Sequence, residues 1–180
     1  MKNYFVNCKA SYLELRKTKS IVTIALLIAM SIVVSSFRIR LFPYLSIGFS
    51  TLVNQYAYLL IGPTAGAVFG MVLDLLKELI IPSGAFNLFF TIPPVLAGFI
   101  YGSFYYNRKV TILNCLAANF TVKLICNVII TTLLFVFLQG KALMVILPVR
   151  ALKNLIQWPV DSILFYMLAK TMEKLKIRKS

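Results

Sequence analysis

Long apolar runs separated by short polar interruptions account for most of the chain. The first run, Ile21 to Phe37, ends at Arg38, Arg40 and Pro43. The second spans roughly Ile47 to Ile61 and is broken by Gly62 and Pro63. The third opens on Gly62, Gly66 and Gly70, carries Asp74, Lys77 and Glu78, and stops at a turn with Pro82, Ser83 and Gly84. The fourth closes at Asn107, Arg108 and Lys109. The fifth runs from Ile112 to Leu138 and ends at Gln139, Gly140 and Lys141. The sixth covers Leu143 to Ala169, with Pro148 in its first turn and Pro159 inside, where a kink is predicted. A membrane-crossing helix needs about 20 apolar residues. Tilt absorbs the short second run and the long fifth and sixth. The pattern predicts an all-α integral membrane protein with six transmembrane helices in residues 21–169, a basic tail 1–20 before them and another, 170–180, after them.

Composition supports insertion in a bilayer. The chain is 60% hydrophobic and 13% charged over 180 residues, with mean hydropathy +0.87. A soluble domain carries about 25% charged residues. The net charge of +14 does not point to nucleic acid, because the basic residues concentrate at the chain ends and one loop. With six spans, both ends share one side with Arg108 and Lys109. That side holds twelve of the 19 basic residues, so the positive-inside rule makes the N- and C-termini cytoplasmic. The loops 38–46, 81–87 and 139–142 then face outside. No small-residue cleavage site follows the first run, which reads as a retained helix.

The chain has no histidine and three cysteines, Cys8, Cys115 and Cys126. That excludes a Ser–His pair and leaves no plausible metal site. Cys115 and Cys126 lie about 16 Å apart along one helix, too far for a disulfide. No phosphate-binding loop of the GxxxxGK[ST] kind occurs, so ATP hydrolysis is not expected of this chain.

Polar residues inside the apolar runs are costly and mark function or pairing. The fifth run carries Asn119, Lys123, Asn127 and Thr131 at four-residue spacing, a stripe that must face protein or water. The sixth carries two rows, Arg150–Asn154–Trp158 and Lys153–Gln157–Asp161. Pairing among themselves, Lys153 with Asp161 or Lys77 with Asp74, is the bland account. It is incomplete: outside the cytoplasmic side seven basic residues face only three acids, Asp74, Glu78 and Asp161. The four unmatched positive charges call for an anionic solute. Arginine suits its carboxylates, and Trp158 or Phe86, Phe89 and Phe90 suit a flat ring. The best candidates are Lys123, Asn127, Arg150 and Asn154, then Arg38, Lys153 and Trp158. Asp74, Lys77, Glu78 and Asp161 are secondary candidates or ion-pair partners. Small-residue motifs, Ala25-x-x-x-Ala29, Gly62/Gly66/Gly70 and Gly98/Gly102, mark close helix packing or a partner subunit.

Six helices in about 180 residues, basic cytoplasmic ends and Ala25-x-x-x-Ala29 in the first helix resemble the substrate-binding S subunit of an energy-coupling factor (ECF) vitamin transporter. GPTAGAVFGMVLDLLKELIIPSGAFN and LPVRALKNLIQWPVDSILFY look most like the folate-specific members. The resemblance implies folate binding from outside by residues 21–169, with no cofactor. It implies docking through Ala25 and Ala29 on a transmembrane coupling subunit with two cytoplasmic ATPase subunits. The S subunit would topple to release its vitamin inside a bacterium, from the cell membrane. Gating would fall to the outer loops, with Pro43, Pro82, Ser83, Gly84 and Phe86. Other readings are an S subunit for another anionic vitamin such as pantothenate or niacin, a lipid-acting membrane enzyme with Asp74, Glu78 and Asp161 as acids, and a structural subunit.

Overall fold

The computed structural model describes residues 8, 10–13, 15–36, 38–42, 45–80, 87–139 and 143–178. Helix α1 is Thr18–Ser36. A two-stranded antiparallel hairpin follows, β1 Arg38–Phe42 and β2 Leu45–Gly48, paired from Arg38↔Gly48 to Phe42↔Leu45. This segment was expected as a loop running into a helix from Ile47. Instead its backbone groups pair with each other, and the helix begins only at Ser50. Helix α2 is Ser50–Ile80. A single 3-10 turn, Leu88–Thr91, leads into α3, Ile92–Tyr105. Helix α4, Ile112–Val122, passes into a π-helical stretch, Lys123–Ile130, and then into α5, Thr131–Gln139. Helix α6, Leu143–Arg178, continues through both prolines. Its 36 residues span about 54 Å, far more than a hydrocarbon core of about 30 Å. Among the described residues, four stretches, Thr18–Ser36, Ser50–Ile80, Leu88–Tyr105 and Ile112–Leu138, are long and apolar enough to cross a membrane.

Helix α2 is a hairpin rather than a rod. Tyr58 packs edge-on against Phe69, and a Cβ on Gly66 would stand 3.1 Å from the Tyr58 ring. In a straight helix Tyr58 and Phe69 would lie about 16 Å apart. The chain folds back at Gly62, whose φ of 81° and ψ of −172° only glycine adopts without strain. Pro63 then starts the second arm, where it has no N–H to leave unpaired. The reversal still orphans helix-end backbone groups, which are expensive in lipid. Ser11 resolves this. Its hydroxyl donates to the Ile61 carbonyl at 2.7 Å and accepts from the Ala65 N–H at 3.0 Å. Thr64 adds a bond to the Cys8 carbonyl, 2.6 Å. Cys8 and Ser11 are thus seated at the bend, with Ser11 fully buried.

The second arm packs antiparallel on α3 through glycine. A Cβ on Gly66 would meet the Gly98 carbonyl at 2.9 Å, and one on Gly102 would meet Pro63 at 2.5 Å. Gly70 lies against the Pro94 carbonyl, and Gly98 against that of Gly66. The two G-x-x-x-G motifs therefore face each other, and backbone approach replaces side-chain packing. The core below is aromatic: Tyr58, Tyr101, Tyr105 and Phe165 form a ladder with centroids 5.7, 5.8 and 4.8 Å apart.

Candidate functional site

The stripe on α4 and the π-helical stretch keeps one direction because the helix widens within it. Four residues overshoot an α-helical turn by about 40°. A π-helix, with i→i+5 bonds, has more residues per turn, so the same step undershoots. The Thr131 N–H and its Oγ1 both bond the Cys126 carbonyl, five residues back. Overshoot before Lys123 and undershoot after it offset each other. Asn119, Lys123 and Asn127 consequently all meet residues on neighbouring helices.

Each makes a different contact. Asn119, fully buried, takes bonds on Oδ1 from Gln55 (2.9 Å) and Tyr101 (2.8 Å). Tyr105 bonds Gln55 Oε1 at 3.3 Å, closing a buried polar floor. Lys123 Nζ lies 2.7 Å from Asp161 Oδ2, with both residues buried. Asn127 Nδ2 donates to Asn154 Oδ1 at 3.2 Å. The bland account offered Lys153 as a partner for Asp161; the ion pair seen at that carboxylate is with Lys123. The π-helical stretch presents Lys123 directly to the level of Asp161 on α6, one turn below Gln157.

Above the floor is a cavity of about 410 Å³ between both arms of α2, α3, the π-helical stretch and α6. Tyr58 and Tyr101 form its base, with Asn54, Asp74 and Lys77 on the α2 side and Lys123, Asn127, Gln157 and Asp161 opposite. A second cavity of about 330 Å³ shares Asn127 and Gln157 with the first and is otherwise lined by Val149, Arg150, Lys153 and Asn154. The Arg150 guanidinium sits over the Phe135 ring, 4.3 Å from its centroid, an arrangement that stabilises a cation away from water. The first lobe therefore carries two carboxylates matched by two lysines, together with amides, and the neighbouring one carries amides and two cations.

The sequence-derived candidates distribute unevenly over this site. Asp74, Lys77, Lys123, Asn127 and Asp161 line the larger lobe, and Arg150, Lys153 and Asn154 the smaller. Glu78 lines neither lobe. Trp158 turns elsewhere: its Nε1 donates to the Leu116 carbonyl at 2.8 Å and its ring packs against Phe120. It borders a more apolar groove with Leu124, Val128 and Leu152, which also touches Lys123 and Asn154. Phe89 is exposed and Phe90 packs on Phe135. Arg38 heads β1, opposite Gly48. Pro43, Pro82, Ser83, Gly84, Phe86 and Lys141 lie outside the described residues. Asn54, Tyr58 and Tyr101 line the site without having been singled out. Asn54 and Tyr58 stand four apart in an apolar helix, a signal of the same kind as the stripe on α4. Ala25 and Ala29 are exposed on α1.

The family model of the ECF transporter substrate-specific component matches residues 19–169, the whole helical bundle that builds this site. The chain belongs to this family. It is also 29% identical, over 163 residues, to the folate transporter FolT of Clostridium novyi (strain NT), with 91% of this chain and 95% of that protein covered. A solved structure, FolT bound with folic acid, superposes with a TM-score of 0.78 at 29% identity, covering 86% of this chain and 95% of the other. The family and these relatives are transporter components rather than enzymes.

Proposed function

We propose that this chain is the folate-binding S subunit of an ATP-driven ECF vitamin importer. The observation that carries the reading is a pair of neighbouring cavities that share Asn127 and Gln157, one with its two carboxylates matched by two lysines and the other with two cations among amides, in a chain of this family. Folate is a flat pterin with donors on its edge, an aromatic linker and a glutamate tail with two carboxylates. Asp74, Asp161, Asn54 and Asn127 suit the pterin edge, and Tyr58 and Tyr101 give it flat walls. Arg150 and Lys153 suit the tail, where arginine binds carboxylate bidentately. Calorimetry of the purified protein in detergent against a panel of vitamins tests this. Folate alone is expected to bind with a Kd below about 1 μM. Indifference to every vitamin would sink the reading. In the same titrations Arg150→Ala is expected to weaken folate by roughly 30-fold, an effect of about 2 kcal/mol for a charged hydrogen bond. It should leave a pteroate fragment lacking glutamate almost untouched.

The same reading extends to the transport cycle. Counting the two arms of α2 separately, with α1, α3, the α4–α5 stretch and α6, the chain supplies six spans, with both termini cytoplasmic in a bacterial plasma membrane. The outer loops 38–46 and 81–87 gate the cavity. The chain docks on a transmembrane coupling subunit that carries two cytoplasmic ATPase subunits, and toppling delivers the vitamin inside. Ala25 and Ala29 serve that docking, since their small side chains on an exposed face let another helix approach. Replacing both by leucine is expected to abolish ATP-dependent uptake in proteoliposomes while the folate Kd stays within about twofold, as for exposed sites away from the cavity. Loss of binding together with uptake would count against a docking role.

A further inference from the structure

Hydroxyls in apolar helices ordinarily bond back to their own helix. Thr23 donates to Lys19, and Ser35 and Ser36 donate to Ile32, all in α1. Ser31, in the same helix and fully buried, does not. Its Oγ donates across to Asn54 Oδ1 on α2 at 2.6 Å. Asn54 lines the larger cavity beside Tyr58 and Asp74. A carboxamide has an acceptor on one branch and two donors on the other. With Oδ1 engaged by α1, the Nδ2 donors are the branch left to meet a ligand. A serine hydroxyl can also accept, so it is the direction of this bond, from Oγ to Oδ1, that leaves the N–H branch for a ligand; without the tie the group turns over freely, and donor and acceptor exchange places.

From this contact we infer that Ser31 is a specificity-determining positioning residue: it locks the Asn54 carboxamide so that its N–H donors, and not its carbonyl, face the bound ligand. The inference rests on the folate reading above. On a folate head the group such donors select is the 4-oxo acceptor. The 4-amino counterpart places N–H donors there instead, and donor meets donor. A site built to hydrogen-bond one polar group discriminates strongly against a ligand that cannot return the bond. Ser31 stands two residues beyond Ala29, so the helix with the exposed small-residue face also orients a wall of the cavity.

The test is a ratio of affinities, which a general loss of stability does not move. Wild type, Ser31→Ala, Ser31→Thr and Asn54→Asp are titrated in detergent with folic acid and with its 4-amino analogue, aminopterin. Wild type is expected to favour folic acid by roughly tenfold or more. Ser31→Ala is expected to shrink that preference to about threefold or less, because the freed amide can offer its carbonyl to the amino group. Ser31→Thr restores the hydroxyl and should restore the preference. Asn54→Asp exchanges donors for acceptors and should reverse it. A Ser31→Ala ratio equal to that of wild type overturns the inference and leaves folate binding standing. A wild type that binds folic acid and its 4-amino analogue equally overturns it in the same way. A wild type that binds neither overturns the folate reading, and this inference with it.

Discussion

Lys123→Ala is expected to destabilise the protein by about 3–5 kcal/mol, the usual cost of removing one partner of a buried ion pair. Lys123 and Asp161 are 7% and 6% exposed, and their charged atoms are 2.7 Å apart. Deleting the lysine leaves a buried carboxylate without its counter-charge. The same change takes a cation out of the cavity wall, so folate binding should fall together with stability. The two effects separate in a double variant. Lys123→Met with Asp161→Asn removes both charges and keeps most of the volume. Such neutral replacements are often as stable as the pair or more so. The thermal unfolding midpoint in detergent should therefore recover, while calorimetry should still show at least about a tenfold loss of folate affinity, about 1.4 kcal/mol. A double variant as unstable as the single one would show that the ion pair is not the source of the instability.

Gly98→Leu is expected to prevent a monodisperse folded protein, judged by size exclusion in detergent, and Gly98→Ala to lower the unfolding midpoint and weaken folate. A Cβ at Gly98 runs into the Gly66 carbonyl, which belongs to rigid backbone. The second arm of α2 and α3 must then move apart. Overpacking of this kind costs about 1–3 kcal/mol even for small additions. The cost reaches the site because the two elements forced apart carry Gly70, Leu73 and Asp74 on one side and Pro94, Ala97 and Tyr101 on the other, all of them lining the cavity. Ala117→Leu, on an exposed face of α4, is the control and should change neither quantity. Wild-type behaviour of Gly98→Ala would mean that the close approach of the two helices is not required.

The stretch from Gly62 to Gly102 shows how far pattern alone reaches. Glycines at four-residue spacing require a closely approaching neighbour. The facing motif was visible in the same stretch, at Gly98 and Gly102. Local periodicity carries this information because both motifs lie on helices joined by a short connection. The polar stripe on α4 was visible for the same reason. What each stripe residue meets was not. Lys123 and Asp161 are 38 positions apart, and the depth of α6 against the π-helical stretch decides which lysine reaches the carboxylate. Trp158 shares a helical row with Arg150 and Asn154, yet it is turned to the Leu116 carbonyl because its N–H needs an acceptor out of water.

By itself the sequence determined that the chain enters a membrane, because its apolar surface has no other place to go. It determined where helices break, since Gly62 and Pro63 cannot continue one. It also determined that cations exceed acids away from the basic ends, and that small-residue faces seek close neighbours. These follow from composition and from contacts a few residues apart. The tertiary structure decided the rest. It placed Ser11 over the Gly62 bend, because the orphaned groups it satisfies exist only once α2 folds back. It paired Lys123 with Asp161 and set Arg150 and Lys153 in a lobe of their own. It tied Ser31 to Asn54 across two helices. Each is a contact between distant residues whose register depends on how every helix packs, and no local pattern specifies that.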